Sequence, residues 1–331
     1  MNVLVAGGAG YIGSHTAKRL IEAGHKPVIY DNLSRGHRTV IEILKVPGVG
    51  ADLNDRPTLL ETLREHKIDT VMHFAAHTIV PESVENPLKY YANNTCASRT
   101  LLEHSLRAGV KHVVFSSTAA VYGIPAGGEC TEESPTSPIN AYGTSKLMTE
   151  WMLRDIAAVN PLRYVALRYF NVAGSDPEGR IGQATAKATL LTKVACEVVV
   201  GKRPYVSIFG TDYPTPDGTG VRDYIHVEDL ADAHLKALTY LRDGGESTTL
   251  NCGYGRGYSV RELLSVVDRV AGHTIAKREE PRRAGDPPTL VARASRIRTT
   301  LGWQPQHDDL TEIVTTSLEW ERKLAAGHWR S

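Results

Sequence analysis

Cysteine is scarce in this chain of 331 residues: Cys96, Cys130, Cys196 and Cys252 stand far apart, with no CxxC pair and no His spacing for zinc. That argues against a disulfide framework and a metal site, and suits buried thiols in a reducing compartment. An excess of one charge is also missing. Lys+Arg 38 against Asp+Glu 37 gives a formal net charge of +1, which leaves no electrostatic basis for binding nucleic acid or an acidic membrane. No apolar run reaches the ~18 residues that would span a bilayer. Met1-Asn2 leads directly into an apolar strand, without a basic n-region or a small-residue cleavage site. Internal repeats and low-complexity tracts are absent as well. The remainder is ordinary, 41% hydrophobic and 23% charged, and long enough for a main domain plus a smaller one. These features lead us to expect a cytoplasmic, soluble protein with no nucleic-acid, membrane or metal partner.

The first half alternates strand and helix. Val3-Leu4-Val5-Ala6 reads as a strand, and Gly7, Gly10 and Gly13 follow at once in a GxxGxxG loop that opens a helix from about 12 to 23. Such a loop combines a tight turn, close backbone approach to a pyrophosphate, and helix N–H groups that attract anions. The second strand, Pro27 to Tyr30, ends in Asp31, placed to accept hydrogen bonds from an adenosine ribose and to repel a 2′-phosphate. This favours NAD over NADP, with Arg35 as the opposing residue. A third strand near 49 to 51 ends in Asp52-Leu53, a fourth from 70 to 74 in Phe74-Ala75-Ala76, and a fifth from 112 to 115 in Ser116-Ser117-Thr118. A long helical segment from 83 to 108 contains Asn93, and a sixth strand, 164 to 168, precedes Tyr169-Phe170-Asn171. The pattern predicts an α/β fold, a Rossmann-type doubly wound parallel sheet with a smaller C-terminal α/β substrate-binding domain. The division falls at 1–172 for the NAD-binding domain, with later segments returning to it, and 173–331 for the substrate domain. In the second part we expect a helix over 186 to 201.

Tyr142-Gly-Thr-Ser-Lys146 begins the helix from 142 to 159, and residues four apart share a face. A phenol with a pKa near ~10 is a weak base, and a nearby ammonium and an oxidised nicotinamide would both favour its ionised form. Alone, YxxxK is ordinary helix decoration. Beside a dinucleotide site it reads as a catalytic pair.

Together, Gly7 to Gly13, Tyr142 to Lys146, Tyr169-Phe170-Asn171 and the run from Ile208 to Val227 resemble the extended short-chain dehydrogenase/reductase family, over essentially the whole chain. The resemblance implies inversion of C4 of a UDP-hexose, interconverting UDP-glucose and UDP-galactose through a 4-keto sugar with bound NAD. Tyr142 would be the base, Lys146 would hold the nicotinamide ribose, and Thr118 would bond the reacting hydroxyl. The cofactor would also touch Tyr11, Ile12, Asn32, Ser34, Asn93, Ser116 and Tyr169. Asn171, Arg222 and Arg283 would hold the diphosphate, with Phe209 near the uracil, Asp286 at its ribose and Leu190 nearby. Leu290 stands where some members carry a Tyr beside the sugar. Other departures are Thr78 in place of a second Lys, Thr189 to Thr192 without the usual Asn/His and Pro, and Arg293 in place of Asp. A dehydratase would need an acid after Thr118, where this chain has Ala119-Ala120. Another UDP-sugar, N-acetylated, pentose or uronic, remains an alternative substrate, as does a non-catalytic NAD sensor. The resemblance also implies a homodimer through a four-helix bundle, with Tyr90, Leu101, Leu102, Met148 and Met152 as candidates for the contact face.

Overall fold

The computed structural model describes residues 1–186, 188–283 and 285–329. Its centre is a seven-stranded sheet of β1 (Asn2–Ala6), β2 (Lys26–Tyr30), β3 (Gly48–Val49), β4 (Thr70–His73), β5 (His112–Thr118), a strand at Arg163–Tyr169 and one at Thr248–Cys252. With β6 (Glu129–Cys130) intervening in sequence, the sixth of these is β7; β8 (Asn171–Ala173), β9 (Val206–Phe209) and β10 (Val221–His226) make the last one β11. The spatial order is β11-β7-β5-β4-β1-β2-β3, and every pairing is parallel. Val3, Leu4 and Val5 are buried on both faces of the sheet, as continuous apolar runs are in parallel sheets covered by helices. The chain order reverses between β1 and β4, and a crevice for ligands opens at such a point, outside the carboxyl ends of the strands.

The helices expected over 12–23 and 142–159 form at Tyr11–Glu22 and Ala141–Val159, and others lie at Arg56–Glu65 and Val227–Arg242. Three expectations change. The segment from 83 to 108 is not one helix. It breaks into Val80–Glu85, Pro87–Tyr90, a π-helical turn at Tyr91–Cys96 and Ala97–Ala108. Pro87 supplies no N–H and drives Asn86 out of the helical region, to φ −133 and ψ 68. The helix expected from 186 is shorter, Leu191–Val199, because Leu190 is extended (ψ 127); Lys187 lies outside the described residues. The third strand is only Gly48–Val49.

A second, smaller sheet has the order β12-β10-β14-β6, where β12 is Gly257–Ser259 and β14 is Thr289–Ala292, and β8 pairs with β10. A two-stranded ribbon joins β9 to β13 (Lys277–Glu280). One residue, Phe170, separates β7 of the large sheet from β8 of the small one, so Tyr169 and Asn171 leave the same ribbon into the two halves of the crevice. Helix Val227–Arg242 then returns to pack on helix Tyr11–Glu22 and on β5 and β7. A buried cluster fastens this contact: Glu228 bonds His15 Nδ1 at 2.5 Å and Lys18 Nζ at 2.8 Å, and Lys18 reaches Asp176 at 3.1 Å. Burial pushes the Glu228 carboxyl up, but the His15 bond and the Lys18 charge prevail and hold it at about 2.

Candidate functional site

At the β1–helix turn, Gly7 has φ +80, and a Cβ there would lie 2.6 Å from the Ala75 nitrogen. A Cβ on Gly13 would come within 2.3 Å of the Gly7 carbonyl oxygen. The loop is therefore pressed against both the β4 end and its own helix, and only glycine fits these two positions. Gly10 is the N-cap of helix Tyr11–Glu22 and contributes no side-chain cap. The first N–H groups of that helix stay available to an anion.

Asp31 is buried at the end of β2, where its Oδ2 accepts from the Ala9 N–H at 3.0 Å and its Oδ1 from the Leu33 N–H at 2.8 Å. Burial raises this carboxyl above its usual range and the two backbone bonds draw it back. Asp52 accepts from Asn32 Nδ2 at 2.9 Å and from the Asn54 N–H at 2.9 Å. The π-helical turn carries Asn93 on the cleft wall and buries Asn94. Asn94 accepts from the His77 N–H at 2.8 Å, donates to the His77 carbonyl at 3.0 Å and to Ser145 Oγ at 3.1 Å. It thereby fixes the loop after β4 to the Tyr142 helix. Sequence reasoning missed Asn94, because an i→i+5 turn leaves no periodic signal; π-turns of this kind are often found at functional sites.

Tyr142 and Lys146 project from one face of helix Ala141–Val159, capped at its start by Asn140, whose Oδ1 accepts from the Gly143 N–H at 2.9 Å. Both line the same cavity as Thr118. Thr118 ends β5, its Oγ1 accepting from the Ala120 N–H at 3.1 Å. Burial raises the Tyr142 phenol above its ordinary value, and its hydrogen bond with Thr118 pulls the other way. Burial likewise brings the Lys146 ammonium down to about 7, against the pull of Glu150. For the phenol, desolvation is the larger influence and the Thr118 bond the smaller one. Tyr169 is also walled in, and its hydroxyl is hydrogen-bonded with Ser116 Oγ.

The cavity is about 390 Å³ and runs the length of the strand ends. Every residue named from sequence for the cofactor lines it: Gly7, Gly10, Tyr11, Ile12, Gly13, Asp31, Asn32, Ser34, Asp52, Leu53, Phe74, Ala75, Ala76, Asn93, Ser116, Tyr142, Lys146 and Tyr169. Thr118, Asn171, Leu190 and Leu290 line its other end. Four others do not line this cavity. Arg283 lies over the Phe209 ring at 3.6 Å, and Arg222 pairs with Asp286 at 3.7 Å while donating to the Val221 carbonyl at 2.9 Å. Sequence reasoning also passed over His77, Gln183 and Thr185 on the wall. Gln183 is set by the Trp320 indole, which donates to its carbonyl at 3.1 Å, a contact between distant segments with no local signature. Among the described residues no cluster of His, Cys, Asp or Glu is arranged to hold a metal, and no helix is long and apolar enough to cross a membrane.

Residues 3–253 match the model of the NAD dependent epimerase/dehydratase family. A UDP-glucose 4-epimerase of Azospirillum brasilense is 58% identical over 97% of this chain and 92% of its own. A solved UDP-glucose 4-epimerase from Stenotrophomonas maltophila, with bound NAD and formylated UDP-arabinopyranose, superposes with a TM-score of 0.95 at 42% identity, covering 99% of both chains. A UDP-Glc/GlcNAc 4-epimerase from Campylobacter jejuni superposes with a TM-score of 0.85 at 46% identity, over 97% of this chain and 99% of that one.

Proposed function

The chain belongs to the NAD-dependent epimerase/dehydratase family, and we propose that it interconverts UDP-glucose and UDP-galactose with Tyr142 as the base. The observation that carries this reading is the meeting of Tyr142, Lys146 and Thr118 in one buried cavity that continues along the glycine loop past Asp31. The loop suits a dinucleotide: Gly7 and Gly13 let the turn close tightly on Ala75 and on its own helix, and the uncapped helix start faces the same cleft.

Bound NAD, held by the Gly7–Gly13 loop, Asp31 and Lys146, would supply reversible hydride exchange at C4 of the sugar. The chain's residues do the rest. Tyr142 takes the proton of the 4-hydroxyl and later gives it back, and Thr118 bonds that hydroxyl and orients it. Lys146 holds the nicotinamide ribose and contributes a positive charge that favours the phenolate. Asn171, Arg222 and Arg283 take the diphosphate, with Phe209 at the uracil and Asp286 at its ribose. Holding the nucleotide this firmly leaves the sugar free to present either face, so remote binding energy retains the substrate without fixing its orientation.

A two-part division supports this work, 1–172 with returning segments for the cofactor and the remainder for the nucleotide sugar. We further place the protein in the cytoplasm, on its free thiols, and assign it a homodimer. Of the residues expected at the contact, Met148 and Met152 stay half-buried and three are taken up by the protomer's own packing. Tyr90 packs with Ala141 and Tyr142, and Leu101 and Leu102 are buried with Leu153, all within one chain. Exposed apolar side chains on the same helices, Val84, Leu88 and Trp151, are the better contact face. The test of function is conversion of UDP-galactose to UDP-glucose by purified protein without added NAD. Failure to convert, although NAD is released on denaturation, would refute the reading.

A further inference from the structure

The face of helix Ala141–Val159 that carries Tyr142 and Lys146 continues one turn further to Glu150. All three are buried. Glu150 is held from two sides. Arg168, on β7, donates to it from Nε at 3.0 and 3.2 Å and from Nη2 at 2.6 Å, and the Ser117 hydroxyl on β5 donates as well. Arg168 is itself anchored, since its Nη1 donates to the Tyr122 hydroxyl at 3.0 Å and that hydroxyl donates to Asn251 Oδ1 at 2.6 Å. Such a two-sided carboxylate–guanidinium contact fixes direction as well as charge. The carboxylate is therefore immobile beside a lysine that has almost no water around it.

The surroundings of Lys146 contain little else that could keep it charged. Its Nζ lies 4.6 Å from the centre of the Phe115 ring on β5. From β4 comes His73, neutral, its pKa driven down to about 3 by burial and then by the Lys146 charge, with Nε2 bonded to Ser98 at 2.7 Å. Tyr142 on its own helix and Tyr169 on β7 are phenols whose pKa burial raises. Arg168 is a cation. Among these described groups Glu150 is the carboxylate.

We propose that Glu150 is a positioning residue for this reaction: clamped by Arg168 and Ser117, its carboxylate sits one helical turn behind Lys146 and favours the charged form of that side chain. The role rests on the reading of Tyr142 as base and Lys146 as its charged neighbour. Its importance grows with an oxidised nicotinamide nearby, since a second cation makes the lysine harder to charge.

The test is the pH dependence of kcat for UDP-galactose in the holoenzyme, comparing wild type with Glu150→Gln and Glu150→Asp. A group that must be protonated loses its function as pH rises through its pKa, so removing the anion should move the alkaline limb to lower pH. We expect a shift of about one unit in Glu150→Gln, hence a roughly tenfold greater loss of kcat on the alkaline side than near neutrality. Glu150→Asp should shift less, and KM should change little in both. A Glu150→Gln profile of unaltered shape, merely lower at every pH, would overturn the proposal and leave Glu150 a structural residue. Because Glu150→Gln strands the Arg168 guanidinium, the double variant Glu150→Gln/Arg168→Met replaces it if the single one does not fold, and an unmoved limb there overturns the proposal equally. Loss of epimerisation in the wild type itself would strike the function, whereas an active wild type with an unmoved variant limb removes only the role of Glu150.

Discussion

The two ends of the cleft are built in different ways. The cofactor end is set by backbone and by buried polar side chains with fixed partners. Gly7 and Gly13 are wedged against Ala75 and against each other's turn, Asp31 is bonded to two backbone N–H groups, and Asn94 joins His77 to Ser145. Apart from Asn171, the residues proposed for the nucleotide lie off the cavity wall and are long side chains that contact one another, Arg283 over Phe209 and Arg222 with Asp286; Arg282 likewise donates to Asp212 at 2.7 Å. A dinucleotide can enter the first end without rearranging it. At the second, on the function proposed above, a diphosphate and a uracil would compete with the Arg283–Phe209 and Arg222–Asp286 contacts. The contrast suits a protein that retains its cofactor through each turnover while exchanging its sugar nucleotide.

The largest expected effect tests whether the cofactor end is as rigid as it looks. Tyr142→Phe removes one oxygen from a wall otherwise held by the helix and by Tyr90. Turnover should fall by roughly 10²–10⁴-fold, the loss typical of a general base, while NAD released on denaturation stays at the wild-type amount. Loss of NAD together with activity would show that the phenol organises the site, and the contrast between the two ends would fail there.

The next effect belongs to the other end. Arg283→Ala frees the Phe209 face and removes a charged partner for the diphosphate. A hydrogen bond to a charged group is worth about 1.5–3 kcal/mol, so kcat/KM for UDP-galactose should drop roughly 10- to 100-fold, mostly through KM. NAD content should not change. If kcat falls while KM holds, Arg283 acts on the chemistry and the division of labour between the ends is wrong.

The same contrast explains what was legible in the sequence. Gly7, Gly10 and Gly13 can be read because a strand, a turn and a helix start fix them within a few residues of each other, and Asp31 because it ends the next strand. Tyr142 and Lys146 can be read because helical spacing alone brings them to one face. The parallel sheet follows from the same alternation, and the helix end at Ala108 from Gly109, which takes φ 78. Distant pairings had no such signal. Arg283 meets Phe209, and Glu150 meets Arg168, only after the strands that carry them have found their order. The break at Pro87 was legible in principle, since proline disfavours helix at the residue before it. The π-turn beyond it was not, because its backbone bonds differ from those of a helix while its residues do not.

The smallest expected effect concerns selectivity, at the point where the two ends meet. Leu290 lies on β14, opposite Arg222 in the register of β10, and it reaches the cavity wall beside the sugar end. Its branched, apolar side chain is smaller than an aromatic ring, and the space left over is comparable to part of an acetamido group. Apolar walls discriminate weakly: one methylene-sized difference is worth about 1–3 kcal/mol. We therefore expect UDP-glucose and UDP-galactose to be the best substrates, with measurable conversion of the N-acetylated pair. Leu290→Tyr should lower kcat/KM for the N-acetylated pair by about 1 kcal/mol more than for the plain pair, close to the bottom of that range. The fixed cofactor end predicts no change in NAD content, and the adaptable nucleotide end no change in UDP inhibition. Equal losses on both pairs, or rejection of N-acetylated sugars by the wild type, would mean that the wall is closed elsewhere, with Gln183 and Thr185 the nearest candidates on the same cavity.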